Sequence, residues 1–176
     1  LSLLLLLSAC ASGGSTAKNA EKAAAALAES MLNAPSEPMQ RFGSILESGE
    51  ESALTAYKDA WEDEKALCSE NGFTSFIEEV LTMQLMADKM NETVKVTAVK
   101  TEPYEEKDRV VRFTADVTVN DTENMTVNGK CQFDEDGKVS FIELDTNELE
   151  MALIANDNAD PTQKPPANGN AITLNE

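Results

Sequence analysis

The chain is expected to adopt an α+β fold, with N-terminal helices packed on an antiparallel sheet of about four strands. Three observations predict this. Between residues 21 and 90 apolar side chains recur at three- and four-residue steps, the spacing that puts them on one face of a helix. From residue 93 to 144 the period changes to strict alternation, as in half-buried strands. The alternating region is also cut by short polar turn sequences, as hairpin-linked strands require. Helices first and strands afterwards place the helices together on one side of a meandering sheet.

Glu21 to Asn33 (EKAAAALAESMLN) has no interior Gly or Pro and high helix propensity, and Pro35 and Pro38 punctuate its end. A shorter helix is expected from Glu37 to Glu47, with Met39, Phe42, Ile45 and Leu46 on one side and Ser48-Gly49 as its break. Over roughly 50–68, Leu54, Tyr57, Trp61 and Cys68 share a helical face. Asn71-Gly72 reads as the end of that helix. Ser75-Phe76-Ile77-Glu78 reads as a capping box opening the next, which carries the stripe Phe76, Ile77, Val80, Leu81, Gln84 and Leu85.

Residues 93–100 (TVKVTAVK) form the first expected strand, followed by a polar turn containing Pro103. In 109–119, Val111, Phe113, Ala115, Val117 and Val119 fall on one face, and Arg112, Thr114, Asp116 and Thr118 on the other. After the Asn120–Glu123 turn, Met125, Val127, Cys131 and Phe133 line one face of a third strand, with Gly129 as an expected bulge or bend. Asp134-Glu135-Asp136-Gly137 reads as a hairpin turn into a fourth strand, Lys138 to Leu144. A calcium loop centred on Gly137 would use Asp134, Asp136, Ser140 and Glu143, but its first ligand position falls on Gln132 and its flanks alternate like strands, so the hairpin is preferred. A short helix is expected over 146–155, and the tail 156–176, with Pro161, Pro165 and Pro166, reads as disordered.

Composition bounds the function. The formal net charge is −18, and residues 47–79 alone hold ten acids against Lys58 and Lys65. That sign excludes nucleic acid as a natural partner, and leaves a solvated surface or a basic partner as readings of the acidic face. There is no histidine, which removes the commonest metal ligand and the side chain that titrates nearest neutrality. No zinc spacing, phosphate loop or nucleophile elbow is present in the sequence, so no metal, cofactor or catalytic residue is assigned.

The chain opens LSLLLLLSAC. A short apolar run ending in small residues has the form of an export signal, too short to span a bilayer. Its last four residues, Leu7-Ser8-Ala9-Cys10, resemble the lipobox of bacterial lipoproteins, in which the cysteine thiol takes a diacylglyceryl group. Residues 1–9 are then a signal peptide lacking its initiator and basic segment, and 10–19 the lipidated Cys10 with a small, polar, flexible tether. Residues 20–155 form the α+β domain. The expected location is extracytoplasmic, anchored to a bacterial membrane through Cys10. Cleavage after Ala11 by an ordinary signal peptidase is the alternative. Outside the cytoplasm Cys68 and Cys131 are candidates for a disulfide, with two buried free thiols as the other reading.

The helical block 21–90 followed by VKVTAVK, RVVRFTADVTV, MTVNGKCQF and DGKVSFIEL resembles the nuclear-transport-factor-2-like, or cystatin-like, superfamily, and more narrowly small bacterial lipoproteins of unknown function with that fold. The resemblance covers about 20–145 and implies a cone-shaped, curved sheet. Some members of the superfamily are isomerases or cyclases with a cavity in the cone. No catalytic motif of theirs matches this chain residue by residue. Tyr57, Trp61, Phe113 and Cys131 are the candidates for lining such a pocket, with plain core packing as the alternative. The resulting expectation is a non-enzymatic, lipid-anchored domain that binds a small ligand, an envelope component or a protein partner. Two alternatives are an isomerase or hydratase using a buried Asp or Tyr, and an acidic structural or interaction protein.

Overall fold

A computed structural model of the protein describes residues 13–46, 51–104, 107 and 109–159. Helices α1 (Gly13–Leu32), α2 (Glu37–Leu46), α3 (Glu51–Asp59), α4 (Glu62–Leu67) and α5 (Glu70–Met90) precede strands β1 (Val94–Pro103), β2 (Val110–Val119), β3 (Glu123–Phe133) and β4 (Val139–Asp145), and α6 (Asn147–Ala159) follows. The strands form one antiparallel sheet in the order β1-β2-β3-β4. This is the expected α+β class. α6 runs to Ala159, past residue 156, the expected start of the disordered tail. The cysteine at position 10 and residues 160–176 lie outside the described residues, and none of the described helices is long and apolar enough to cross a membrane.

Two long helices cover one face of the sheet. On α1, Ala24, Leu27, Ala28, Met31 and Leu32 are buried at the spacing of a single helical stripe, and its small alanines let the helix lie close over β1 and β2. On α5, Phe76, Ile77, Val80, Met83, Gln84 and Ala87 form the matching stripe, packed against β4 and α1. The sheet answers with Val111, Phe113, Ala115, Val117 and Val119 of β2 and Val127, Cys131 and Phe133 of β3, all buried. Leu149 and Leu153 of α6 close the end of the core beside Met83, Val117, Val119 and Val127.

Several boundaries differ from expectation, each for a local reason. α1 begins at Gly13, inside the stretch read as a tether, because nothing from Ser15 to Glu21 breaks a helix. The helix expected over 50–68 divides into α3 and α4 at Ala60-Trp61, where Trp61 leaves helical geometry (φ −107°, ψ 41°). α5 starts at Glu70 rather than near Ser75, since Ser69 is the N-cap and accepts a hydrogen bond from the Gly72 N–H at 3.2 Å. Gly129 sits in regular pairing with Phe113, and the sheet's irregularities lie at Val96/Ala98 and Gln132/Phe133 instead. A side chain at Gly129 would place its Cβ 2.3 Å from the Phe113 ring, so the ring occupies that space. Gly137, at φ +75°, makes the hairpin turn, and Asp134 Oδ1 accepts from the Asp136 and Lys138 amides at 3.0 and 2.8 Å.

Both sheet edges are partly closed by the helical segments. On β1, Ala34 and Val94 exchange backbone hydrogen bonds of 2.9 and 2.8 Å, and Asn33 Oδ1 accepts from the Val96 N–H at 2.9 Å. On β4, the Ser69 N–H donates to Val139 O at 2.8 Å, and Ser75 Oγ bridges the N–H and C=O of Ile142 at 3.2 and 3.1 Å. Lys95 and Lys100 flank the bulge on β1, and Pro103 ends the strand, features that oppose pairing with another chain.

Candidate functional site

The four residues expected to line a pocket come together, but as packed core. Tyr57, Trp61, Phe113 and Cys131 are 0, 5, 1 and 0% exposed and belong to one cluster with Phe76, Phe133 and Ile142. Tyr57 and Trp61 meet edge-to-face at 5.9 Å between ring centroids, and Trp61 and Phe76 at 5.3 Å. These rings pack against one another within the core that α1, α5 and the sheet share.

Two polar atoms in this cluster, Tyr57 Oη and Trp61 Nε1, are buried without a hydrogen-bond partner among the described residues. Burial raises the Tyr57 pKa well above its ordinary value; the nearby Trp61 N–H offsets a smaller part of that shift, although neither atom meets hydrogen-bond geometry. An unpartnered buried hydroxyl costs about 1–3 kcal/mol. Tyr57→Phe is therefore expected to leave stability unchanged or raise it by about 1 kcal/mol, whereas Tyr57→Ala should cost about 3–5 kcal/mol. Urea midpoints of the two variants check this. A marked loss in Tyr57→Phe would mean that the hydroxyl has a partner.

Cys68 and Cys131 are both free and buried, which is the alternative to the bridge. Cys68 sits beside Val139 at the outer edge of β4, while Cys131 on β3 pairs with Ile142. β4 thus lies between them. Two strand spacings of about 4.8 Å exceed the roughly 7 Å that a disulfide tolerates between Cα atoms. Burial pushes Cys68 up to about 12, with Glu64 adding and Lys138 subtracting; burial and then Cys68 push Cys131 up to about 12. A thiol held protonated in the fold contributes its full stability below its unfolded pKa, near 8.5, and loses it as pH rises toward the folded value. The unfolding free energy is expected to fall above about pH 9, by at most about 1.4 kcal/mol per pH unit for each thiol, and Cys131→Ala should reduce the slope. Denaturant titrations from pH 7 to 10 measure it, and a slope untouched by the substitution would refute it.

Among the described residues no helix covers the opposite face of the sheet. Cross-strand register builds polar rows across it. One runs Glu102, Arg112, Lys130, Glu143 and the next Lys100, Thr114, Asn128, Asp145. Thr114 Oγ1 lies 3.0 Å from Asn128 Oδ1, and Lys130 Nζ pairs with Glu143 Oε2 at 2.7 Å. Tyr104, just past β1, lays its ring against the Arg112 guanidinium, 3.6 Å from Cζ to the ring centroid. These residues, Lys100 excepted, and Lys107 of the β1–β2 connection bound a groove of about 400 Å³ floored by the Phe113–Gly129 pair. Its β2 residues were legible as the polar half of an alternating strand. The rows, and the stacking of Tyr104 on Arg112, depend on register and on the β1–β2 connection, which alternation alone does not give.

Among the described residues no group of His, Cys, Asp and Glu is placed to hold a metal ion. Among the described carboxyls, that of Glu79 on α5 has its pKa raised, by partial burial first and then by Glu143, Glu78 and Glu150. It lies outside the groove lining and so supplies no acid–base pair there.

No protein-family model, no curated protein and no solved structure matches the chain.

Proposed function

We propose that the protein is a lipid-anchored, extracytoplasmic domain that binds a small ligand, envelope component or protein partner and carries out no chemistry of its own. The observation that carries the reading is Leu7-Ser8-Ala9-Cys10, an aliphatic residue, two small residues and a cysteine at the end of an apolar run. α1 starts at Gly13, so acylation of Cys10 would hold the folded body within a few residues of the bilayer. Binding rather than catalysis is favoured by the open polar sheet face and by a core in which Trp61 and Phe113 are buried among other apolar side chains. The one fully buried tyrosine, Tyr57, is packed among rings rather than facing a cavity. A nuclear-transport-factor-2-like ancestry fits the helix-then-meander order and remains part of this proposal.

Labelling cells with radioactive palmitate tests the anchor. The wild-type chain should incorporate label and sediment with membranes. Cys10→Ala should do neither and should collect in the soluble fraction. Full membrane retention of the unlabelled variant would refute the reading.

A further inference from the structure

Arg112 is the exception among the cations that the strands place on the open sheet face; Lys107, on the β1–β2 connection, also lines the groove. Lys95, Lys100 and Lys130 each already face a carboxylate, Asp121 at 2.8 Å, Asp116 at 3.6 Å and Glu143 at 2.7 Å. Among the described residues Arg112 has no such partner, although the chain carries 32 acids against 14 bases. Its contact is the Tyr104 ring. Stacking occupies the face of the guanidinium rather than its edge N–H groups, which are the ones that bidentate recognition of a carboxylate uses. Two strands away, on the other wall of the groove, Asp145 is the reverse case. Its Oδ1 accepts from Asn147 Nδ2 at 3.0 Å, and no lysine or arginine among the described residues pairs with it. Between them Asn128 uses Oδ1 toward Thr114, and none of the described residues takes its Nδ2 donors.

We propose that this groove is a receptor for a short zwitterionic peptide, with Arg112 on the C-terminal carboxylate, Asn128 on a peptide carbonyl and Asp145 on the N-terminal ammonium. β2 and β4 are two strand spacings apart, roughly 9.5 Å, and an extended residue spans about 3.5 Å, so two or three residues bridge the two walls. A groove this open binds weakly, with Kd on the order of 0.1–1 mM. The proposal names the ligand class for the binding function proposed above and rests on that function, but not on the anchor.

The test uses the protein purified from whichever cell fraction holds it, so that failure of the anchor leaves the result unaffected. Trialanine, N-acetyl-trialanine and trialanine amide are titrated while backbone amide shifts are followed by NMR. Trialanine should give saturable shifts at Thr114, Asn128 and Asp145. Blocking either terminus should weaken binding about 10-fold or more, as should Arg112→Gln, the scale of one charge-assisted hydrogen-bonded pair. Tyr104→Leu should weaken it less, because it removes only the stacking that orients Arg112. The absence of saturable shifts at about 10 mM peptide, unchanged affinity in Arg112→Gln, or indifference to both blocked termini would each overturn the proposal.

Discussion

Gly72→Ala should destabilise the protein by about 3 kcal/mol or more, although alanine is the better helix former by about 1 kcal/mol. Gly72 lies in the first turn of α5, where that turn meets the edge of β4. A Cβ there would stand 1.8 Å from Val139 O and 2.6 Å from its carbonyl carbon, and both atoms belong to backbone that cannot swing aside. The helix must therefore retreat from the strand. Retreat breaks the Ser69 N–H to Val139 O bond of 2.8 Å and loosens Phe76 and Ile77 against the sheet. Overpacking alone costs about 1–3 kcal/mol, and the lost hydrogen bond about 1 more. Asn71→Ala is the control. It changes an exposed residue in the same turn and should move stability by no more than about 0.5 kcal/mol. Urea unfolding of both variants, with hydrogen exchange read at Ile142, measures the difference. A Gly72→Ala protein as stable as wild type would mean that α5 does not dock on β4 this closely.

That glycine also shows where the sequence stops being readable. Asn71-Gly72 looks like a helix terminator, and Ser75-Phe76-Ile77-Glu78 like a helix start, when each is judged against its neighbours. The fold assigns the cap and the Ser75 hydroxyl otherwise. Ser69 caps the helix, and the Ser75 hydroxyl is taken by Ile142, 67 residues later in the chain. Gly129 is a parallel case, since its missing side chain serves the Phe113 ring on the next strand. The strands were legible because alternation and turn residues are local signals, and the order β1-β2-β3-β4 follows from short hairpins. Tyr57, Trp61, Phe113 and Cys131 were legible as one apolar set. Whether they enclose a void or fill it is a property of summed volumes, and their spacing along the chain carries no such information.

Gln84→Met should cost about 1–3 kcal/mol, although methionine keeps the length and flexibility of the side chain. Gln84 falls on the apolar stripe of α5 and is 0% exposed. Its carboxamide is fully used by the connection between α1 and α2. Oε1 accepts from the Ser36 N–H, and Nε2 donates to Asn33 O at 2.8 Å and more weakly to Met31 O at 3.5 Å. With methionine in its place the half-buried Ser36 amide and the carbonyl of the exposed Asn33 lose these partners, water recovers part of each bond, and each loss costs about 0.5–1.5 kcal/mol. The exposed Gln40, which donates to Pro35 O at 3.2 Å on the same connection, should tolerate the same substitution at a cost below about 1 kcal/mol, because water replaces its one bond. The consequence extends past stability. The segment that Gln84 holds is the one that closes the β1 edge, through the Ala34–Val94 pair and the Asn33 side chain on the Val96 amide. Releasing it leaves those edge groups open to strand pairing from another molecule. Gln84→Met is thus expected to show faster amide exchange at Val94 and Val96 and concentration-dependent association by light scattering, while Gln40→Met stays monodisperse relative to the parent. Unchanged exchange at both valines in a destabilised Gln84→Met protein would separate the buried amide from the edge it is argued to guard.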